Sequence, residues 1–235
     1  MKPVSRTAFY CCGVRGLDAR STRPVCGDLF AERFMDEEVW RTFEPFRRFH
    51  GPNASNVMRH RILDDLLRER VARDPRRRIV LLGAGLDSRA FRLTGGRWLE
   101  VDEAQVFAWK EPRLPARDSP NEIVRLGVDF ETERLADRLA PFAGGEPVTV
   151  VLEGMLMYLE EPQVRELLRT LRGLFPPPLG PCGSWPASRG ASARDMRIGP
   201  SRRSRARFRQ RPDRGASPEP PPDALPARGS PPARR

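Results

Sequence analysis

Between residues 78 and 174 the chain alternates short apolar runs with stretches whose apolar positions recur every three or four residues. The runs are Arg78-Ile79-Val80-Leu81-Leu82, Arg97-Trp98-Leu99-Glu100-Val101, Glu122-Ile123-Val124-Arg125-Leu126 and Pro147-Val148-Thr149-Val150-Val151-Leu152. Short, largely apolar segments of this kind are expected of strands buried in a parallel sheet. Residues 86–93, 103–110, 133–139 and 162–174 read as the intervening and following helices. The last is the clearest, with Val164, Leu167, Leu168, Leu171 and Leu174 on one face and Pro162 in its first turn. Strand and helix alternating in this way predict an α/β fold, a parallel sheet flanked by helices on both faces.

Upstream, Val57, Ile62, Leu63, Leu66, Leu67 and Val71 keep helical spacing and predict one helix over 53–73. Asn53 or Ser55 can cap it, and Asp74-Pro75 ends it. Thr7–Tyr10 and Leu29–Met35 read as short helical pieces separated by a polar loop that contains Arg23-Pro24 and Cys26-Gly27. Three regions follow: a helical cap segment over 1–52, an α/β ligand-binding domain over 53–175, and a tail over 176–235. The tail opens on Pro176-Pro177-Pro178, holds 14 of the 25 prolines, and contains no Val, one Ile and one Phe. Such a segment has nothing to bury, which predicts disorder.

Charge divides along the same line. The tail carries 13 Arg and four acidic residues, so the net charge of +11 comes mostly from it, and residues 1–175 are close to neutral. A basic face on a folded domain would point to nucleic acid. Here the basicity is segregated, and the run Arg202-Arg203-Ser204-Arg205-Ala206-Arg207 has only Phe208 as an aromatic neighbour, which weighs against a nucleic-acid partner. Lysine occurs only at positions 2 and 110, and an Arg, Pro, Ala and Gly bias of this kind is what GC-rich coding produces. Cys11, Cys12, Cys26 and Cys182 form no C-x-x-C pair and have no histidine cluster nearby, so no metal site is expected. Free thiols, no apolar run of membrane-spanning length and no secretory leader predict a cytoplasmic protein without a membrane partner.

In an open parallel sheet, ligands lie beyond the carboxyl ends of the strands. Four candidate positions fall there: the Gly83-Ala84-Gly85 turn, Asp102, Asp129 and Glu153. The glycines permit a tight turn and close approach of a ligand to the backbone. Ser88 stands where a dinucleotide fingerprint has its third glycine. Asp102 follows Gly83 by 19 residues, the spacing of an acceptor for both hydroxyls of a ribose. A nicotinamide enzyme would share that pair. Two further carboxylates, Asp129 and Glu153, suit a cationic amino-acid ligand better than a pyrophosphate. On the helix before the first strand, Arg59 or Arg61 can pair with a ligand carboxylate.

The stretch Ile79 to Leu93, with its G-A-G-L-D-S-R-A-F-R-L string, resembles the first motif of the leucine carboxyl methyltransferase family. That family includes eukaryotic protein phosphatase methyltransferases and bacterial polyketide O-methyltransferases of the tetracenomycin type. Glu100-Val101-Asp102, Val128-Asp129-Phe130 and Glu153-Gly154-Met155-Leu156-Met157-Tyr158-Leu159 resemble its later motifs in the same order, and Arg59-His60-Arg61 with Asp64-Asp65 resembles its R-T-R-x-x-D-D phrase. Thr7-Ala8 and Asp28–Ala31 are similar to the start of bacterial members, so the resemblance runs from residue 1 to about residue 175. It implies a Rossmann-like class I methyltransferase fold, S-adenosyl-L-methionine as cofactor, and methyl transfer to a hydroxyl or carboxyl of a small, polyketide-like acceptor. It further implies that Arg59 holds the cofactor's carboxylate, that Gly83 and Gly85 line the methionine side, and that Asp102 binds the ribose. Asp129 and Phe130 would bracket the adenine, Glu153 would face the amino group, and Tyr158 would line the substrate pocket. No catalytic base is assigned.

The family continues after Leu174-Phe175-Pro176 with a fifth strand, and this chain does not, since three consecutive prolines exclude a central strand. The sheet is therefore expected to be incomplete at its C-terminal strands. The text after Phe175 resembles a GC-rich frame translated out of register, which points to a frameshift; a native disordered tail is the competing account. Two other functions stay open beside an active methyltransferase: a cofactor-binding protein without catalysis, and a nucleic-acid binder acting through the Arg-rich tail.

Overall fold

The computed structural model describes residues 3–144 and 146–175. The Pro/Arg-rich tail, its arginine run and Cys182 lie outside the described residues. Three helices come first: α1 (Pro3–Ala19), α2 (Glu37–Phe43) and α3 (His50–Arg73). The α/β part follows as β1 (Arg78–Leu82), α4 (Arg89–Arg92), β2 (Arg97–Asp102), α5 (Ala104–Lys110), β3 (Glu122–Gly127), α6 (Leu135–Leu139), β4 (Val148–Leu152) and α7 (Glu161–Leu174). The four strands form one sheet in the order β3-β2-β1-β4, and every pairing is parallel. Leu82 lies opposite both Val101 and Leu152, and Asp102 lies opposite Gly127. All four C-terminal ends therefore open on one edge.

Alternation along β1 decides the two layers, because successive strand residues face opposite ways. Ile79 and Leu81 join a core with Cys12, Phe34, Phe43, Val57, Leu67 and Trp98, which is the face covered by the N-terminal helices. Val80 and Leu82 join Leu99, Val101, Leu139, Leu167 and Leu171, the face covered by α6 and α7. The fold is the expected parallel sheet with both faces covered, and β4 is an edge strand among the described residues.

Several elements differ from the pattern expected from sequence, and α3 begins at His50, so Asn53 and Ser55 lie inside it and do not cap it. Instead of a short piece at Thr7–Tyr10, α1 is a helix of 17 residues that runs through Gly13 and Gly16. Those glycines are packing sites: a Cβ on Gly13 would stand 2.7 Å from the Phe43 ring, and one on Gly16 would stand 3.3 Å from Trp40. The helix expected over 86–93 contracts to Arg89–Arg92. Asp87 Oδ1 accepts a hydrogen bond from Arg89 N at 2.6 Å and so starts it, while the Ser88 hydroxyl is drawn away to donate to Asp28. The sequence pattern also missed α2, which Asp36 caps by accepting from Val39 N at 3.0 Å.

Candidate functional site

The turn after β1 is built from two left-handed glycines, Gly83 at φ +72° and Gly85 at φ +52°, a conformation that costs little only without a Cβ. Gly83 N and Ala84 N both donate to Val101 O, at 2.9 and 3.1 Å, fastening the turn to β2. A Cβ on Gly83 would meet Met155 at 3.4 Å, and one on Gly85 would meet Ala8 at 3.4 Å. Met155 and α1 therefore wall the turn on two sides.

Asp102, the last residue of β2, is gripped by backbone. Its Oδ2 accepts from Gly85 N at 2.6 Å and its Oδ1 from Glu103 N at 2.7 Å. Burial raises its pKa, against those two bonds, which favour the charged form. Each oxygen keeps a lone pair for a further donor. Asp129 follows β3 in a tight turn, with Oδ1 accepting from Glu131 N at 2.9 Å and its backbone N donating to Glu133 Oε2 at 2.7 Å. Next to it Phe130 packs on the core under α6 and α7. Tyr158 sits on the single 3-10 turn Leu156–Tyr158 that follows Glu153, with its side chain exposed.

Arg59 and Glu153 come together. Arg59 Nε donates to Glu153 Oε1 at 3.0 Å, with side chains 42% and 16% exposed, so the pair borders solvent. The competing arginine, Arg61, points elsewhere: it pairs with Asp65 at 2.8 Å and donates to Val25 O at 3.1 Å.

Behind Glu153 lies a network that sequence reasoning did not assign. Arg89, 0% exposed, donates from Nε to Asp64 Oδ1 at 2.6 Å and from Nη1 to both Asp87 and Glu153 Oε2, the latter at 2.7 Å. Its Nη2 donates to His60 O at 3.1 Å and lies 2.7 Å from His60 Nδ1. Arg92 reaches Asp64 Oδ2 at 2.6 Å, Ser88 Oγ at 2.9 Å and His60 Nε2 at 2.7 Å. Arg15 pairs with Asp28 at 2.9 Å and donates to Leu86 O at 2.8 Å, tying α1 to the glycine turn. With Arg59 and with Arg68, 3.8 Å from Asp64, five guanidiniums face four carboxylates, those of Asp28, Asp64, Asp87 and Glu153, so the group holds no spare negative charge for a protonated His60. His60 is indeed held below its ordinary pKa by burial and by the charges of Arg15 and Arg89, with Glu153 opposing. Burial alone would raise the Glu153 carboxyl, but the Arg89 guanidinium on its Oε2 outweighs it and holds it well below the usual range. Asp28, raised by burial and lowered by Arg15, Arg92 and Ser88, ends at about 2.

One atom each of His60, Asp87 and Glu153 lie within 4.8 Å of one another, a spacing that could hold a cation. Arg89 contacts all three, so its guanidinium takes the place a metal would need. The signal for this network was in the chain: Asp87, Arg89 and Arg92 stand in the D-S-R-A-F-R-L string, and His60 and Asp64 one helical turn apart on α3. Their pairing across 25 to 64 residues of sequence was not readable from spacing.

The leucine carboxyl methyltransferase family model matches residues 8–172. The tetracenomycin polyketide synthesis O-methyltransferase of Streptomyces glaucescens is 32% identical over 169 residues, 71% of this chain and 60% of that protein. A protein of Parafrankia sp. (strain EAN1pec), placed by its name among S-adenosyl-L-methionine-dependent methyltransferases, is 38% identical over 131 residues, 53% of this chain and 42% of that one. A similarly named protein of Streptomyces coelicolor is 28% identical over 194 residues, 74% and 63%. The chain thus spans between 42% and 63% of the length of these relatives. On the extent of the family match, this chain belongs to the leucine carboxyl methyltransferase family.

Proposed function

We propose that this chain binds S-adenosyl-L-methionine across the C-terminal ends of β1 to β4 and serves O-methyl transfer to a hydroxyl or carboxyl of a small molecule. The observation that carries the reading is the Arg59–Glu153 pair beside the Gly83 turn. An α-amino acid is a zwitterion. Its carboxylate replaces Glu153 on Arg59 and its ammonium replaces Arg59 on Glu153, so one exposed ion pair is exchanged for two without stranding a charge. Gly83 and Gly85 leave room for the methionine chain, and Asp102, held by Gly85 N and Glu103 N, aims its remaining lone pairs at the ribose hydroxyls. Asp129 accepts from the adenine amino group and Phe130 covers the ring. Tyr158 borders the acceptor.

When bound, the cofactor supplies a methyl group on a positively charged sulfur. The chain's own task is alignment, since holding nucleophile and methyl in line replaces a bimolecular encounter. Glu153 keeps a negative charge beside the cofactor because the Arg89 guanidinium, donating to its Oε2 at 2.7 Å, holds it ionised. A carboxylate acceptor needs no base, whereas a phenol does.

Calorimetric titration with S-adenosylmethionine is the test. Binding in the micromolar range by the wild type, weakened at least tenfold in Asp102→Ala, is the expected result; a folded sample that binds nothing refutes the reading. The three prolines at 176–178, just past the matched range, favour a second reading, a cofactor binder without turnover. Binding with no methyl transfer to any phenol or carboxylic acid in a panel distinguishes it.

A further inference from the structure

Arg89 is fully buried, and a guanidinium carries five N–H hydrogens and no acceptor. Its side chain has five contacts: Asp64 Oδ1, Asp87 Oδ2, Glu153 Oε2, His60 O and His60 Nδ1. A buried charged donor left without an acceptor is costly. The first four contacts are oxygens and always accept. The fifth accepts only if His60 Nδ1 carries a lone pair.

That condition fixes the state of the ring. Imidazolium would present N–H to both Arg89 Nη2 and Arg92 Nη2, each 2.7 Å away. The neutral ring must hold its one proton on a nitrogen that faces a guanidinium either way. Arg92 is the arginine that can yield, because its side chain is 8% exposed and its Nη2 has Asp64 Oδ1 at 3.2 Å as an alternative acceptor. Nε2–H then points to the side of Asp64 Oδ1, 3.9 Å away. The other charged groups around the ring agree: Arg15 and Asp28 from the N-terminal segment, Asp64 and Arg68 from α3, Asp87 from the glycine turn and Glu153 from beyond β4 leave no unpaired carboxylate for an imidazolium.

We propose that His60 is a positioning residue for the cofactor's amino group: through an unprotonated Nδ1 it takes the fifth hydrogen of Arg89 and so holds Nη1 of Arg89 on Glu153. This rests on the reading of Glu153 as the partner of that amino group. His60 touches no ligand itself. Its influence falls on the amino-acid half of the ligand and not on the adenosine half, which Asp102 and Asp129 serve.

The chain has two histidines, and His50 is exposed, so 15N-histidine labelling of the full chain gives two separable ring systems, with His50→Gln assigning them. The expected spectrum shows His60 neutral and protonated at Nε2 at about pH 6.5, where an ordinary imidazole is half protonated. A proton on Nδ1, or an imidazolium at that pH, overturns the proposal. Binding supplies the second arm, with S-adenosylhomocysteine against 5′-methylthioadenosine, which lacks the amino-acid group. H60N keeps an acceptor at the Nδ1 position and is expected within about threefold of wild type for both ligands. H60A and H60Q, which lack that acceptor, are expected to weaken S-adenosylhomocysteine about tenfold and methylthioadenosine not at all. Equal losses for both ligands, or no loss, overturn the proposal; if H60A does not fold, the H60N and H60Q pair decides. Should the wild type bind neither ligand, the reading of the cofactor site fails, and the ring's protonation state still decides whether His60 serves Arg89.

Discussion

Arg89 shows what a buried charge requires. It is compensated by three carboxylates and two acceptors of His60, and no other side-chain type offers five donors in a fixed fork. Lysine in its place would bring the charge but three donors at one point, so Asp64, Asp87 and Glu153 could not all be served. Breaking a buried ion pair from one side costs about 3–5 kcal/mol, and Arg89→Lys is expected to lower unfolding stability by about that much in a denaturant titration. A loss under about 1 kcal/mol would show that the fork geometry does not matter. His60 makes a pH prediction at the same scale. Its folded pKa lies below the ordinary value of 6.5, so the unfolded chain binds a proton that the folded chain refuses. The stability it contributes is complete above about pH 6.5 and declines as pH falls toward the lower folded value. His60→Asn should flatten that decline below about pH 6.5 in thermal unfolding; an unchanged slope would mean that another group is responsible.

Among the elements, β2 and α5 are joined by an ion pair that hydrophobic pattern would not suggest. Lys110 Nζ donates to Glu100 Oε2 at 2.8 Å, both side chains are fully buried, and Arg125 of β3 donates to the same oxygen at 3.0 Å. Lys110→Met removes one of the two donors from a buried carboxylate and is expected to cost about 3 kcal/mol, read as a lower denaturant midpoint with the same slope. The mild result, under about 1 kcal/mol, would assign the neutralisation of Glu100 to Arg125 alone. The strands around this pair were legible because each is a short apolar run bounded by a change of period, and all four were placed within a residue at either end. The strand-end carboxylates were legible for the same reason, since topology fixes where strand ends meet. What sequence hid was packing between distant segments. Gly13 and Gly16 read as punctuation until Phe43 and Trp40 occupy the space they leave, and Arg89 read as a motif letter until α3 brings His60 and Asp64 against it.

Over the whole molecule, the residues assigned to the cofactor fall between Arg59 and Glu153, inside the matched range 8–172, whereas most of the +11 charge lies after Phe175. The two features are therefore separable. A chain ended after Phe175 should bind S-adenosylhomocysteine within about threefold of the full chain, because no assigned contact is removed and the nearly neutral remainder exerts little long-range field on a zwitterion. Affinity for a generic RNA should behave in the opposite way. In the full chain it falls steeply between about 50 and 200 mM salt as counterions are released, and it vanishes in the shortened one. Tenfold weaker cofactor binding in the shortened chain, with its unfolding midpoint unchanged, would place a cofactor contact after Phe175. RNA affinity retained by the shortened chain would move the basic surface onto the α/β body, where the arginines of the buried network are already paired with carboxylates.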